Sequence, residues 1–78
     1  MQYRLTADEV KILRQALGMT QTEFASFLGI TAIYQQKLEY KKTEITEPYL
    51  ERINNRIFIK DPQLFDVVKT LQDKRGGF

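Results

Sequence analysis

The sequence predicts an all-α domain of about five short helices, and two observations carry this prediction. Thr6–Glu9 and Thr20–Glu23 both have the form Thr-x-x-Glu, the capping box that begins a helix. Gly18 and Gly29 follow the apolar stretches after these boxes, where a left-handed glycine commonly ends a helix. Signals for strands are scarce and are confined to residues 3–5. The predicted helices cover, to within a residue or two, residues 7–17, 21–28, 32–40, 47–58 and 62–72.

The composition limits the classes of protein to which the chain can belong. Its 78 residues are enough for one small domain with a modest core. The absence of Cys and His removes thiolate ligands and the commonest general base, so we expect no metal, no cofactor, no catalytic residue and no enzymatic activity. No apolar run approaches the ~18 residues of a membrane span, and no signal-peptide pattern opens the chain, which favours a cytoplasmic protein without a membrane partner. A net charge of +2 is compatible with nucleic-acid binding but does not require it.

The first three predicted helices each have a recognisable start. Leu5 before the first cap and Val10 after it occupy the positions of a hydrophobic staple. Val10 and Leu13 begin an apolar stripe at helical spacing. Gly29 closes the second helix after about two turns, and Thr31 is placed to cap the third.

Two prolines mark the starts of the last two predicted helices. Thr46–Pro48 and Asp61–Pro62 each place a capping residue just before a proline, which is well tolerated in the first turn. Residues 73–78 are predicted to form a flexible tail. The apolar face of the fifth helix is either a dimer surface or part of the monomer core, and it consists of Leu64, Phe65, Val68 and Leu71.

Several residues between positions 10 and 50 stand at the spacing of a known family. They are Arg14, the run Leu17-Gly18-Met19-Thr20-Gln21, Phe24-Ala25, Leu28-Gly29-Ile30-Thr31 and Leu38-Glu39. With these residues the chain resembles the Xre/Cro-type helix-turn-helix family, the small domains of phage repressors and many bacterial regulators. The resemblance implies a lambda-repressor-like fold whose third helix, residues 32–40, enters the major groove of DNA.

The resemblance also implies roles for individual residues. In the family, an Arg at the position of Arg14 pairs with a Glu at the position of Glu39 and so ties the first helix to the third. Gln36 is suited to read adenine, and Lys37 to reach guanine or a phosphate. The base-reading positions of the family fall at Thr31, Ala32, Ile33, Gln36 and Lys37. Phosphate contacts are expected from Gln21, Thr31, Lys41 and Lys42.

The third helix departs from the family pattern at Gln35, where members usually carry a buried Val or Ile. Burying its amide without a partner would cost a few kcal/mol, on the order of 1–3. In one arrangement Gln35 is hydrogen-bonded inside the domain, with Gln21 as a candidate partner. In a second, the helix is rotated so that Tyr34 turns inward and Gln35 faces solvent. In a third, the surface no longer reads DNA and instead binds protein through Ile33, Tyr34 and Tyr40.

Two functions therefore compete at this point. The first is a bacterial or phage transcription regulator that binds duplex DNA sequence-specifically as a homodimer, with recognition helices about 34 Å apart. The second is a protein-binding modulator, an antirepressor or antitoxin-like protein, that keeps the fold but captures another regulatory protein. Exposed aromatic and aliphatic side chains at the middle of a surface would favour the second.

Overall fold

A computed structural model describes residues 3–76 of the chain, and the side chains of residues 3–74. The described part contains α-helices and one π-helical turn but no strand, so the prediction of an all-α fold is confirmed. No helix within it is both long and apolar enough to cross a membrane. The helices are α1 (Ala7–Ala16), α2 (Gln21–Leu28), α3 (Ala32–Glu39), α4 (Glu47–Ile53), which continues into a π-helical turn (Asn54–Phe58), and α5 (Gln63–Gly76).

Both predicted capping boxes are present. Thr6 Oγ1 accepts a hydrogen bond from the Glu9 amide, and Glu9 Oε1 accepts one from the Thr6 amide at 2.9 Å. Thr20 and Glu23 make the same reciprocal pair at 3.1 and 2.9 Å. Each box satisfies two backbone donors that a helix start otherwise leaves without a partner. The starts of α1 and α2 are therefore determined by local sequence.

The core lies where α1 packs against α3 and α5, and where α2 packs against α3. Leu5 and Val10 are both buried, as a hydrophobic staple requires. Complete burial of such side chains is the main source of stability for a domain of this size. The largest aromatic and aliphatic side chains that are fully buried are those of Tyr49, Phe24, Phe58, Leu13, Leu28, Leu38 and Ile53.

The fourth predicted helix, residues 47–58, is helical throughout but changes type in its second half. The Ile59 amide donates to the Asn54 carbonyl five residues earlier, the hydrogen bond of a π-helix. The Asn54 side chain binds both backbone groups of Tyr3, accepting from its nitrogen at 2.7 Å and donating to its oxygen at 2.9 Å. It also donates to the Leu50 carbonyl at 2.8 Å. The π-helical turn thus coincides with the point where the amino-terminal segment is held.

The structure corrects the predicted end of the fifth helix. Instead of stopping near residue 72, α5 continues to Gly76. The apolar stripe ends at Leu71, but Asp73 and Lys74 are compatible with a helix and nothing before Gly76 breaks it. Residues 77 and 78 of the predicted tail lie outside the described residues.

The sequence predicted that the apolar face of α5 is either a dimer surface or part of the monomer core. In the structure most of this face lies in the monomer core. Val68 is fully buried, and Leu64 and Phe65 pack against the core cluster. Lys69 fixes the helix further through an ion pair with Glu9 on α1 at 2.6 Å. Of the four residues predicted on this face only Leu71 is exposed. The helix packs against α1 and against the π-helical turn, and the Phe65 ring contacts the rings of Tyr3 and Phe58.

Candidate nucleic-acid interface

Helices α2 and α3 form a helix-turn-helix unit around Gly29. Gly29 has φ +77°, in the left-handed region, and the following Ile30 amide donates to the Ala25 carbonyl at 2.9 Å. Arg52 of α4 donates from Nη1 to the Leu28 carbonyl at 2.8 Å. A Cβ at position 29 would lie 3.0 Å from that same Nη1 atom. The turn therefore depends both on the backbone freedom of glycine and on a close approach from α4.

Four side chains form the outer face of α3: Ile33, Gln36, Lys37 and Tyr40. Their spacing of three and four residues places them on one side of the helix, and all four are exposed. Ile33 and Tyr40, at the two ends, are each 65% exposed. Thr31 is exposed and caps the helix by accepting from the Tyr34 amide, while Ala32 is half-buried. Most of the predicted base-reading residues thus share one accessible surface.

Gln35 lies on the opposite side of α3 and is fully buried. Tyr49 of α4 donates its hydroxyl to Gln35 Oε1 at 2.6 Å, and Gln35 Nε2 donates to Glu39 Oε2 at 2.8 Å. The internally hydrogen-bonded arrangement is therefore present, with Tyr49 and Glu39 as the partners instead of Gln21. The rotated arrangement is wrong in placing Gln35 in solvent, although Tyr34 is half-buried and its ring contacts that of Tyr49.

The carboxylate of Glu39 is the centre of this polar network. Arg14 approaches it with two nitrogens, Nε to Oε2 at 2.8 Å and Nη2 to Oε1 at 3.0 Å, in the bidentate geometry of strong ion pairs. Gln21 Nε2 adds a fourth donor at 3.1 Å, after the one from Gln35. Arg14 Nη1 also donates to the Met19 carbonyl at 2.9 Å. One buried carboxylate thus joins α1, α2 and α3, and Gln35 extends the network to α4.

Burial and hydrogen bonding act in opposite directions on this carboxylate. Burial on its own would raise the pKa of Glu39, because it disfavours the charged form. Hydrogen bonds from Arg14, Gln35 and Gln21 outweigh burial and hold the pKa below its ordinary value. Burial also raises the pKa of Tyr49, so its hydroxyl keeps the proton that it donates to Gln35.

The predicted phosphate-binding residues differ in how far their polar groups are already used. Gln21 is half-buried and gives one N–H of its amide to Glu39, which leaves the second N–H for another acceptor. Lys41 Nζ lies 3.1 Å from Asp8 Oδ2, but both side chains are more than half exposed, so this pair is weak. Lys37 and Lys42 are exposed at the same end of α3. The lysines are therefore accessible to a polyanion.

Two residues of this region escaped the sequence analysis. Tyr49 and Arg52, both on α4, hold the inner side of α3 and the end of α2. The sequence did contain a signal for Tyr49. A buried Gln requires a hydrogen-bond partner, and a tyrosine on the apolar stripe of α4 has a hydroxyl that can donate to it. Nothing in the sequence around Arg52 distinguishes it from an ordinary exposed arginine.

Comparison with known proteins agrees with this geometry. Residues 10–64, more than half of the chain, match the family described as helix-turn-helix. Neither the curated proteins nor the solved structures gave a match. The matched segment begins in α1, includes α2, α3 and α4, and ends at the start of α5. The chain therefore belongs to the Xre/Cro-like helix-turn-helix family, which indicates a DNA-binding transcription regulator.

Proposed function

We propose that this protein is a sequence-specific regulator of bacterial or phage type, acting in the cytoplasm, that inserts the outer face of α3 into the major groove of duplex DNA. The observation that carries the proposal is the two-sidedness of α3. Its inner side is held by the network around Glu39, while Ile33, Gln36, Lys37 and Tyr40 project from the other. The major groove admits one α-helix, and a helix held in one rotation presents the same side chains to every site.

Within this proposal, Gln36 and Lys37 read polar base edges. The Gln36 amide has one donor and one acceptor end, which match N6 and N7 of adenine. The Lys37 ammonium has only donors, which suit O6 and N7 of guanine or a phosphate oxygen. Both side chains are exposed next to each other on the helix, so neither has to break internal packing to reach DNA.

The phosphate contacts come from the two edges of the helix-turn-helix unit. Gln21 and Thr31 lie at the amino ends of α2 and α3, where backbone amides and the helix dipole also favour an anion. Lys41 and Lys42 follow the carboxyl end of α3. Phosphate contacts at both ends fix the orientation of the helix in the groove, while the bases determine the sequence that is read.

A two-fold homodimer is part of the proposal, because it doubles the length of DNA that is read. Its recognition helices would lie about 34 Å apart, one turn of the duplex. The exposed part of α5, with Leu71 and the neighbouring Val67, is the surface proposed for self-association.

One observation favours a second candidate function, the capture of another regulatory protein. Ile33 and Tyr40 expose large apolar surfaces on the same face of α3. The buried centre of a protein interface is more apolar than the rest of the surface, and aromatic residues are enriched there.

The salt dependence of binding to a mixed-sequence duplex separates the two functions. If the lysines contact phosphates, the logarithm of affinity falls with the logarithm of salt concentration, with a slope of about 0.9 per phosphate. Lys42→Ala should reduce that slope by about one for each bound subunit. Lys60→Ala is the matched control, since Lys60 is an exposed lysine on the turn before α5. We expect this control to leave the slope unchanged.

Base reading requires a separate measurement. A preferred site is first selected from random duplexes, and its affinity is then compared with that of single-base variants. Gln36→Ala should lose discrimination at one A·T pair in each half-site and keep it elsewhere. The proposal fails if no duplex binds even at low salt, and it fails in favour of the second function if the chain then captures a protein through Ile33 and Tyr40.

A further inference from the structure

One of the two large exposed apolar side chains on the outer face of α3 lies at the end that approaches the bases. Ile33 is the second residue of the helix and is 65% exposed. The amino-terminal residues of a recognition helix contact base edges, whereas Tyr40 lies at the opposite end. The buried neighbours Gln35 and Leu38 already form the inner side of α3, so packing within the monomer does not account for an isoleucine here.

The chemistry of the major groove leaves one partner for such a side chain. Ile33 has neither donor nor acceptor, so against the polar edge of guanine, adenine or cytosine it would cover groups that then lose their water. The C5 methyl of thymine is the one apolar group that the bases present in this groove. We propose that Ile33 reads the C5 methyl of a pyrimidine in the target site. This inference rests on the proposed DNA-binding function and assigns the chemical group by which that site is recognised.

The position of Gln36 makes the proposal more specific. It lies three residues after Ile33 on the same face, which corresponds to a rise of about 4.5 Å along the helix. Successive base pairs are about 3.4 Å apart. A helix lying along the groove therefore places the methyl read by Ile33 within one or two base pairs of the adenine read by Gln36.

The same proposal predicts which modified base can replace thymine. Deoxyuridine pairs as thymine does but lacks the methyl, so it removes the proposed contact and nothing else. 5-Methylcytosine presents a C5 methyl in the groove, whereas cytosine does not. At the position that Ile33 reads, the order of affinity should therefore be thymine above deoxyuridine, and 5-methylcytosine above cytosine.

The experiment uses the full chain and the duplex selected from a random pool. Each thymine is replaced in turn by deoxyuridine, and affinity is measured for the wild type, Ile33→Ala and Ile33→Val. Burying one methyl group corresponds to about a fourfold gain in affinity. The wild type should lose about fourfold at one position in each half-site, Ile33→Ala should show no loss there, and Ile33→Val should keep part of it. Truncating a side chain this exposed leaves the fold intact.

Ile59→Ala is the matched control. Ile59 is 72% exposed, lies beside Tyr3 and Asn54, and is outside α3. This variant should keep the full deoxyuridine effect. The inference is wrong if the protein binds the duplex but loses no affinity at any thymine replaced by deoxyuridine. It is also wrong if Ile33→Ala loses as much affinity there as the wild type. Either result leaves the proposed function standing. Absence of any duplex binding overturns both.

Discussion

The hydrogen bond between Tyr49 and Gln35 gives the most direct test of how α3 is held. Tyr49→Phe removes the hydroxyl that donates to Gln35 Oε1 at 2.6 Å and changes nothing else in the shape of the ring. Both residues are buried, so water does not replace the lost donor. The Gln35 carbonyl is then left without its partner inside the core.

The expected loss follows from the energy of a buried acceptor without a partner, about 1–3 kcal/mol. The variant recovers a little of this loss, because phenylalanine has no hydroxyl to desolvate. We therefore expect the free energy of unfolding to fall by about 1.5 kcal/mol. For a domain of this size that corresponds to a decrease in Tm of about 6–12 °C. It is a substantial share of a total stability of about 4–12 kcal/mol.

Urea unfolding followed by circular dichroism measures this difference directly. Tyr40→Phe is the matched control, because it removes the same hydroxyl from a tyrosine that is 65% exposed. The control should change stability by less than about 0.5 kcal/mol. If Tyr49→Phe is as stable as Tyr40→Phe, the hydroxyl does not stabilise the core and Gln35 is held in another way.

Three further predictions concern charge and backbone conformation. The pKa of Glu39 is lower in the folded protein than its ordinary value of about 4.5 in the unfolded chain. The ionised carboxylate therefore stabilises the fold fully at pH values above about 4.5, and this stabilisation is lost as the pH falls through the lower pKa of the folded state. Glu39→Gln should therefore lower the free energy of unfolding by about 3 kcal/mol at neutral pH. The difference in Tm between the wild type and this variant should shrink as the pH is lowered, and a difference that does not change with pH would contradict the ion pair. Gly29→Ala should lower the urea midpoint more than Gly18→Ala does. Both glycines have positive φ, but an added Cβ contacts Arg52 only at position 29. Equal decreases of the midpoint in the two variants would mean that the Arg52 side chain moves aside. Lys41→Gly should raise the free energy of unfolding by about 0.5–1 kcal/mol, since Lys41 has φ +60°, and unchanged or lower stability in the same urea experiment would refute this strain.

The elements that the sequence predicted well are those determined by near neighbours. A capping box joins residues three positions apart, and the glycine at the end of α2 acts through its own φ. Helix starts and the left-handed turn at Gly29 could therefore be predicted from local spacing alone.

The features that escaped prediction depend on residues far apart in the chain. Tyr49 reaches Gln35 across 14 positions, and Asn54 reaches Tyr3 across 51. No local pattern connects such pairs, so the sequence predicts neither the Tyr49 donor to Gln35 nor the attachment of Tyr3 to Asn54. The apolar stripe of α5 was ambiguous for a related reason. A stripe indicates that a face is covered, but only the packing against α1, the π-helical turn and Tyr3 shows what covers it.

The buried contacts of α3, including those of Gln35, also determine which of its residues face outward. Successive residues of an α-helix are about 100° apart, so fixing one side chain fixes the direction of all the others. Three contacts connect the inner side of α3 to other parts of the domain. Gln35 accepts a hydrogen bond from Tyr49 of α4, Glu39 pairs with Arg14 of α1, and Leu38 is fully buried in the core. With Gln35 inward, Ile33, Gln36 and Lys37 face outward, so the buried hydrogen bonds of α3 and its binding surface are two consequences of the same helix rotation.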